Sequence, residues 1–252
     1  MSKAAAKRRL DQLLVDRGLV ESRSRAQGLI MAGKVYSETR RLDKAGQQVS
    51  EELPIEIKGQ DHPWVSRGGL KLEKGLQAFD INPQGMTCLD VGASTGGFSD
   101  VLISGGATKV FAVDVGHGQF AWKLRQNPRI VVLERTNARY LTIENIPEPI
   151  DLIVCDASFI GLQTVLPAAM SLAAHNARMV ALIKPQFEVG KGRVGKGGVV
   201  REPELHVEVC EKIRVWLESQ PGWSVLGIAD SPIKGPEGNK EFLIGGKCSR
   251  RR

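Results

Sequence analysis

The chain lacks the features that would tie it to a membrane, to an oxidising compartment or to a structural metal. No apolar run approaches the roughly eighteen residues of a membrane-spanning helix, and the N-terminus has no apolar signal-peptide core. The four cysteines are far apart and follow neither a CxxC nor a Cys/His spacing, which argues against a disulfide framework and against a zinc site. We therefore expect a cytoplasmic protein with no membrane segment and no metal.

Basic residues outnumber acidic residues by 35 to 28, and the excess is concentrated near the N-terminus. Residues 1–44 contain eleven basic but only five acidic side chains, and the chain closes on Arg250, Arg251 and Arg252. Such a concentration favours a polyanionic partner, for which nucleic acid and an anionic membrane surface are the two candidates. Solvated charge that serves only solubility is the alternative.

The N-terminal part of the sequence predicts a small α+β module. Leu10, Leu13 and Leu14 recur at the i, i+3, i+4 spacing of a helix face, and Gly18 follows as a stop signal. Ser22 is placed to cap a second helix, and short strand-like segments come after it. The stretch Gly59-Gln60-Asp61-His62-Pro63 is polar and turn-forming. We therefore predict a module over residues 1–59, a linker over 60–65 and a second domain over 66–252.

The second domain alternates strand-like and helical stretches. Seven strand candidates lie at 87–91, 110–114, 130–133, 151–156, 178–184, 223–229 and 241–245. Most are continuously apolar, as expected of parallel strands covered on both faces. Helical stretches lie between most of them, for example at 97–104, 160–174 and 202–219. The last connection, 230–240, is rich in glycine and proline, which suits an antiparallel return. The predicted fold class is therefore α/β, a sheet of seven mostly parallel strands behind a small α+β module. Six parallel strands with one antiparallel strand resemble the sheet of Rossmann-like methyltransferases.

A glycine-rich turn joins the first of these strands to a helix and predicts a cofactor site. Glycines at such a turn let backbone N–H groups approach a ligand closely. The residues predicted to contact an adenosyl cofactor from the strand and the turn are Asp90, Gly92, Ala93, Ser94, Thr95, Gly96, Gly97 and Phe98. The next strand ends at Asp114, whose carboxylate is placed to accept hydrogen bonds from ribose hydroxyls.

The same turn also fits the G-x-S-x-G elbow of esterases and lipases, with Ser94 as nucleophile. That interpretation needs a histidine on a late loop. His206 lies in a predicted helix, and no histidine follows the last strand. An esterase is retained only as an alternative function.

Four charged residues form a second predicted constellation: Lys71, Asp156, Lys184 and Glu241. Asp156 and Lys184 end neighbouring strands, and Glu241 begins the antiparallel strand, so all three are expected at one edge of the sheet. Lys71 lies on a helix that the sequence does not place. Solvent-facing strand ends are the plain alternative explanation for these charges.

These residues resemble a known family. Lys71, Asp156, Lys184 and Glu241 match, in order, the Lys-Asp-Lys-Glu tetrad of the FtsJ-type ribose 2′-O-methyltransferases. Residues 8–58 resemble the RNA-binding module named after ribosomal protein S four, although Tyr36-Ser37-Glu38 replaces its usual Val-Asn-Gly turn. Together with the segments 65–69, 136–139, 184–188 and 190–192, they make nearly the whole chain similar to the TlyA family.

The resemblance implies a ribosomal RNA cytidine 2′-O-methyltransferase that uses S-adenosyl-L-methionine. Lys184 would remove or polarise the proton of the ribose hydroxyl. The like charge of Lys71 would favour the neutral amine form of Lys184, and Asp156 and Glu241 would hold the two lysines. Asn137 would lie near the adenine of the cofactor. The residues expected to hold the RNA backbone are Arg9, Arg23, Arg25 and Lys34. The basic loop 191–198 would close over bound RNA or serve only as a long connection.

Two functions of other classes remain as alternatives at this point. Many TlyA-type proteins carry the older name haemolysin, but a membrane-active haemolysin needs an amphipathic or spanning segment with a large apolar face, which the sequence lacks. A non-catalytic RNA-binding factor would keep the N-terminal module but could dispense with the tetrad and the glycine-rich turn.

Overall fold

The computed structural model describes residues 7–20, 22–58, 62–190 and 192–249. Several sequence predictions therefore fall on residues outside the described ones. They concern the first six residues, the linker positions 59–61, Lys191 of the basic loop and the three terminal arginines.

The N-terminal module consists of two helices and two small sheets. Its elements are β1 (Lys7–Arg9), α1 (Leu10–Asp16), α2 (Arg23–Met31), β2 (Val35–Ser37), β3 (Arg40–Arg41), β4 (Gln48–Ser50) and β5 (Glu56–Ile57). Strand β1 pairs with β4, and β2 lies between β3 and β5, all antiparallel. The Oγ of Ser22 accepts a hydrogen bond from the backbone N–H of Arg25 at 3.2 Å, so Ser22 caps α2 as predicted.

The module has a thin apolar core of its own. Leu10 and Leu14 of α1 pack with Ile30 of α2 and Val35 of β2, and each is almost fully buried. The i, i+3, i+4 spacing of the leucines directs one face of α1 toward the core. A helix this short is not stable alone in water and depends on such packing.

The second domain alternates strands and helices around one sheet. Its elements are α3 (Gly68–Ala78), β6 (Thr87–Val91), α4 (Gly97–Ser104), β7 (Lys109–Val113), α5 (Trp122–Arg125), β8 (Ile130–Leu133), β9 (Ile150–Cys155), α6 (Leu162–Ser171), β10 (Ala173–Ile183), α7 (Pro185–Glu188), α8 (Pro203–Ser219), β11 (Trp223–Asp230) and β12 (Phe242–Cys248). Short 3-10 turns lie at Ala138–Tyr140, Lys196–Gly198 and Pro236–Gly238.

The seven strands form one sheet in the order β11-β12-β10-β9-β6-β7-β8. Only β12 is antiparallel to its neighbours β10 and β11, so the predicted Rossmann-like sheet with one reversed strand is confirmed. The strand order reverses between β6 and β9, where the backbone N–H of Asp156 donates to the carbonyl of Val91 at 3.0 Å. Ligands of such sheets bind in the crevice beyond the strand ends at this point.

Apolar side chains cover both faces of the sheet, as continuously apolar strands require. Along β6, Leu89 and Val91 join the core that includes α6 and α8, whereas Cys88 joins the opposite core, which includes α3 and α4. Successive residues along a strand therefore face the two buried cores in turn.

The structure corrects one predicted boundary. Residues 160–174 were expected to be helical, but α6 ends at Ser171 and β10 begins at Ala173. Ala173 pairs with Ile150, and the register then shifts before Arg178. The residues of this segment are good helix formers, and pairing with β9 overrides their local preference.

The segment that enters the second domain fixes the start of α3. Trp64 packs so closely on Gly69 that a Cβ there would lie 2.3 Å from the Trp64 ring. The backbone N–H of Val65 donates to Oδ2 of Asp100 at 2.9 Å. Helix α3 and helix α4 are therefore held together by this segment, which positions the side chain of Lys71.

Candidate active site

A cavity of about 470 Å³ opens at the carboxyl edge of the sheet, where the strand order reverses. Three parts of the chain surround it: the glycine-rich turn after β6, the start of α3, and the loop before β12. The lining residues are Ser66, Arg67, Gly68, Lys71, Gly92, Ala93, Ser94, Thr95, Gly97, Phe98, Asp156, Ser158, Lys184, Ile233, Lys234, Gly235 and Glu237. The location is the one where doubly wound sheets bind their ligands.

The four charged residues predicted from the sequence meet at this cavity. Nζ of Lys184 lies 2.6 Å from Oδ1 of Asp156, and Nζ of Lys71 lies 3.6 Å from Oδ2 of the same carboxylate. Nζ of Lys71 also lies 2.7 Å from Oε2 of Glu241. Two ammonium groups thus alternate with two carboxylates in one buried chain of ion pairs, and such charges are stable inside a protein only when they are paired.

The secondary structure explains this meeting. Asp156 and Lys184 follow directly after β9 and β10, which are parallel neighbours, so their side chains leave the sheet at the same edge. Glu241 precedes the antiparallel β12 and reaches that edge from the other direction. The sequence did not place Lys71, and the structure brings it to the site as the fourth residue of α3.

Lys184 has further partners that the sequence reasoning missed. Its Nζ donates to the carbonyl oxygen of Asp156 at 3.1 Å and to Oγ of Ser158 at 2.9 Å. The signal for Ser158 was its place just three residues beyond the end of β9, at the edge where the ligand cavity was expected. With three oxygen partners, the amine is held in one orientation toward the cavity.

Glu241 is enclosed by the preceding loop. A Cβ on Gly235 would lie 2.1 Å from Oε1 of Glu241, so only glycine fits at that position. Asn239 closes the same loop, since its carbonyl accepts from the backbone N–H of Gly235 at 2.9 Å. The loop between β11 and β12 thus has a fixed shape where it passes over the buried carboxylate.

The glycines of the glycine-rich turn are needed because neighbouring atoms leave no room for a side chain. A Cβ on Gly92, at φ +82°, would lie 2.9 Å from the backbone of Ala157, and a Cβ on Gly97 would lie 2.3 Å from Oγ of Ser66. Gly96 has φ +93°, which disfavours any residue with a side chain. The turn therefore brings bare backbone to the cavity wall, as a site for a bulky adenosyl group requires.

Asp114 shapes the far side of the turn. Its Oδ2 accepts from the backbone N–H of Ser94 at 2.8 Å, and its Oδ1 accepts from the backbone N–H of Gly116 at 2.6 Å. The side chain does not line the cavity itself. Asn137 is exposed at the start of a 3-10 turn, where its Oδ1 accepts from the N–H of Arg139. The neighbouring Thr136 bonds the backbone of Asp114, so Asn137 lies close to that strand end.

Asp90 lies beneath the turn rather than at the cavity surface. Its side chain is fully buried, and its Oδ2 accepts a hydrogen bond from Oγ of Ser99 at 2.7 Å. Burial raises the pKa of Asp90 to about 7, although the Ser99 hydrogen bond opposes that rise. Of the cofactor residues predicted from the sequence, Asp90, Gly96, Asp114 and Asn137 do not line the cavity, and the rest do.

Glu134 is a second residue that the sequence reasoning missed. It follows β8 and accepts hydrogen bonds from the backbone N–H of Gly118 at 2.8 Å and from Arg125 at 2.6 Å. Burial acts to raise its pKa, but these two donors outweigh it and lower the pKa of Glu134 below the usual value. Glu134 therefore fixes the loop after β7, next to Asp114.

In the N-terminal module, two of the four residues predicted to bind RNA share a buried partner. Asp11 is fully buried and accepts hydrogen bonds from Arg9 at 2.9 and 3.0 Å and from Arg23 at 3.0 Å. The Arg9 hydrogen bonds hold the pKa of Asp11 well below its usual range. About half of each arginine side chain stays exposed. The other two, Arg25 and Lys34, lie at the start of α2 and just before β2.

The esterase alternative finds no support in this geometry. Ser94 has a strained φ of +48°, as a nucleophile elbow does, but no histidine lines the cavity beside it. Among the described residues, no helix combines the length and the apolar character needed to cross a bilayer. The part of the chain that the structure describes also holds no cluster of three or more potential metal ligands.

Comparison with known proteins agrees with this architecture. Residues 64–248 match the model of the FtsJ-like methyltransferase family, and residues 8–55 match that of the S4 domain. A 16S/23S rRNA (cytidine-2′-O)-methyltransferase TlyA of Mycobacterium tuberculosis is 49% identical over 242 residues, which cover 95% of this chain and 90% of the relative.

Solved structures give the same result. A hemolysin-named protein from Streptococcus thermophilus has a TM-score of 0.76 at 40% identity, with 98% of this chain and 90% of that chain covered. Magnesium protoporphyrin IX methyltransferase from Synechocystis, solved with bound SAH, shares the fold alone, with a TM-score of 0.50 at 16% identity over 73% of this chain and 83% of that chain.

Proposed function

The chain belongs to the TlyA family of FtsJ-like methyltransferases and is an S-adenosylmethionine-dependent RNA 2′-O-methyltransferase, and we propose that its substrate is a cytidine of ribosomal RNA. The observation that carries the proposal is the chain of ion pairs at the cavity, where Lys184 and the glycine-rich turn line the same space. A ribosomal RNA substrate implies that the reaction takes place in the cytoplasm.

The residues around the cavity fit an adenosyl cofactor. The bare backbone at Gly92 and Gly97 leaves room for the group, and Asp114 holds the turn from behind. Bound S-adenosylmethionine supplies an electrophilic methyl group. The turn residues Gly92 to Phe98 that line the cavity, with Asp114 and Asn137 at its far side, would hold the adenosine portion.

Methyl transfer requires the ribose oxygen to be held in line with the methyl carbon, so positioning supplies much of the rate. A ribose hydroxyl is a poor nucleophile, and a group must remove or polarise its proton. Lys184 fits this role, because its amine is held at the cavity by Asp156 and Ser158. A proton taken from the hydroxyl would be received at Nζ of Lys184, whereas an amine that stays charged would instead stabilise the developing negative charge on the oxygen.

Asp156 and Glu241 hold the two lysines rather than act on the hydroxyl directly. Glu241 fixes Lys71 from one side, and Asp156 lies between Lys71 and Lys184. The fixed charges reduce the reorganisation needed at the moment of transfer. Lys71 adds a second positive charge near the oxygen that loses its proton.

The N-terminal module would deliver the RNA. Its cations are the exposed Arg9, Arg23 and Arg25 and the half-buried Lys34. They suit contacts to phosphate, which position a nucleic acid without reading its sequence. The basic segment 192–198 lies between α7 and α8 and carries Arg193, which is paired with Glu208, and Lys196. We expect both surfaces to follow the RNA backbone.

The test is direct mapping of 2′-O-methylation on ribosomal RNA incubated with the purified protein and S-adenosylmethionine. We expect one or a few methylated cytidines with the wild-type protein and strongly reduced methylation of the same cytidines with Lys184→Ala. Cofactor binding should be measured in parallel by calorimetry, without added metal. Methylation that appears on the base, or on no ribosomal RNA at all, would overturn the proposed substrate.

A further inference from the structure

A second cavity adjoins the catalytic lysine. It encloses about 330 Å³ and shares Ser158, Lys184 and Glu237 with the cofactor cavity. None of the residues of the glycine-rich turn lines it. In a nucleotide the base is attached to the ribose carbon next to the one that carries the 2′-oxygen. When that oxygen lies at Lys184, the base therefore lies close to the Lys184 amine as well. The second cavity is therefore where the base of the target nucleotide can lie while its ribose faces the methyl donor.

Aromatic rings form one wall of this cavity. The rings of Phe159 and Phe187 have centroids 5.2 Å apart and are tilted by 49°. Phe159 is 90% exposed and holds a positive φ of +64°. An exposed aromatic ring at a nucleic-acid site offers a stacking surface to an unpaired base. The wall accepts a planar ring but does not distinguish one base from another.

Most polar groups of the cavity are already engaged. The amide of Asn239 uses both ends, since its Oδ1 accepts from the N–H of Val200 at 3.1 Å and its Nδ2 donates to the carbonyl of Gly198 at 2.9 Å. Lys184 is held by Asp156 and Ser158, and Glu241 is paired with Lys71. These groups form the frame of the cavity and are not free to read a base.

Two residues that line the cavity, Gln186 and Glu237, carry hydrogen-bond acceptors for which the described residues provide no partner. Oε1 of Gln186 is buried, yet it has no hydrogen-bond partner among the described residues. Glu237 at the rim forms no ion pair within the part of the chain that is described, and its carboxylate is an acceptor only. A buried polar atom without a partner costs free energy, so an unsatisfied acceptor on a residue that lines a cavity points to a ligand that donates.

Cytosine and uracil differ in this respect. Cytosine carries an exocyclic amine that donates hydrogen bonds, whereas uracil has a carbonyl oxygen at the same position. The carboxylate of Glu237 and the Oε1 end of the Gln186 amide can accept from the amine, whereas either oxygen repels the carbonyl oxygen of uracil. The volume of about 330 Å³ leaves ample room for a pyrimidine ring.

We propose that this cavity binds the base of the target nucleotide and that Gln186 selects cytosine over uracil by accepting a hydrogen bond from the exocyclic amine. The inference rests on the proposed function, because it assigns a specificity-determining residue to that reaction. It also gives a role to the second residue after Lys184 in the segment 184–188, to which the chemistry of methyl transfer assigns none.

The test compares two RNA transcripts that differ only at the mapped target position, one with C and one with U. Single-turnover methylation is measured for the wild-type protein, for Gln186→Met, which keeps the side-chain length but lacks an acceptor, and for Gln186→Glu, which keeps the acceptor. We expect the wild-type protein and Gln186→Glu to prefer C by about tenfold or more, as one satisfied against one opposed hydrogen bond implies. Gln186→Met should lose that preference by slowing on C.

A matched control keeps the result specific. Gln126→Met makes the same substitution at an exposed position at the end of α5, outside both cavities, and should methylate like the wild-type protein. Equal affinity for S-adenosylmethionine in all variants shows that each is folded. Gln186→Met with an unchanged preference for C, or a wild-type protein that methylates U equally well, overturns the inference alone. A wild-type protein that methylates no RNA overturns the proposed function as well.

Discussion

Nζ of Lys184 lies 2.6 Å from Oδ1 of Asp156, so the amine that faces the cavity is held by a carboxylate from the neighbouring strand. The two side chains follow β10 and β9, and the parallel pairing of these strands fixes their separation. An amine held in this way is already oriented before substrate arrives, and such preorganisation lowers the barrier of a positioning-limited reaction.

The first prediction concerns this amine. Lys184→Ala should lower the methylation rate by about a hundredfold to ten-thousandfold, the usual range for a lost general acid or base. Affinity for cofactor and for RNA should change little, because the lost interaction is made mainly in the transition state. Single-turnover kinetics and calorimetry measure the two quantities separately.

The control for this variant is Lys74→Ala, which removes an exposed lysine from α3, the helix that carries Lys71. It should methylate at the wild-type rate. Near-normal turnover by Lys184→Ala would remove Lys184 from catalysis and leave the chain of ion pairs without its assigned role.

The second prediction separates a buried from an exposed ion pair. Glu241→Ala leaves the ammonium of Lys71 buried with only Asp156 at 3.6 Å, and breaking such a pair costs about 3–5 kcal/mol of unfolding free energy. Asp230→Ala breaks the exposed pair with Lys240 and should cost about 1 kcal/mol or less. Urea unfolding at neutral pH measures both. Equal midpoints for the two variants would contradict the assignment of Glu241 to a buried pair.

Much of the site could be predicted because it lies at strand ends. Continuous apolar runs located β9 and β10, and the charged residue after each run had to leave the sheet at the carboxyl edge. Parallel neighbours share that edge, so the meeting of Asp156 and Lys184 follows from pattern alone. The antiparallel return of β12 added Glu241 by the same reasoning.

Other parts depend on tertiary contacts that leave no pattern. Lys71 reaches the site only because Trp64 and Val65 anchor the start of α3 against α4. Strands β1 and β3 have three and two residues, too few for a period to show. The partnerless oxygen of Gln186 depends on how two loops close around it, which no spacing in the sequence encodes.

The third prediction concerns the glycine-rich turn after β6. Asp114→Ala removes two acceptors of backbone N–H groups, those of Ser94 and Gly116, and with them the expected ribose contact. Affinity for S-adenosylmethionine should fall by about tenfold or more, since hydrogen bonds to charged groups contribute about 1.5–3 kcal/mol. Calorimetry without added metal checks this.

Asp151 provides the matched control for Asp114. Its Oδ2 also accepts a backbone N–H, that of Thr87 at 2.9 Å, but near the opposite ends of the strands. Asp151→Ala should leave the affinity for the cofactor unchanged. An equal loss in both variants would show that Asp114 acts only through the stability of the sheet.

The fourth prediction concerns RNA binding. Arg9 and Arg23 are held together by the buried carboxylate of Asp11, with about half of each side chain exposed. Replacing both by glutamine should lower the magnitude of the negative slope of log affinity against log salt by roughly 1.4 to 1.8, as the loss of two phosphate contacts implies. Arg214→Gln, on α8 in the second domain, should leave the slope unchanged. An unchanged slope in the double variant would place the RNA elsewhere.

The last prediction follows from the buried carboxyl beneath the turn. Burial raises the pKa of Asp90 to about 7 from an ordinary value of 3.8. At a pH between these two pKa values, Asp90 keeps its proton in the folded protein but has released it in the unfolded chain. Stability therefore falls as the pH rises through this window, and the loss is complete above about pH 7.

Asp90→Asn removes the titrating group but keeps an oxygen that can accept from Ser99. Its unfolding free energy should exceed that of the wild-type protein by an amount that grows from pH 4 to pH 7, to on the order of a few kcal/mol, and then stays constant. Ser99→Ala provides a second measurement, because the Ser99 hydrogen bond lowers the pKa of Asp90. Without that bond the fall in stability should extend to higher pH. If unfolding free energy changed with pH in the same way in the wild-type protein and in Asp90→Asn, Asp90 would already be charged in the folded protein. Such a buried carboxylate would need a positive partner, which the described residues do not provide.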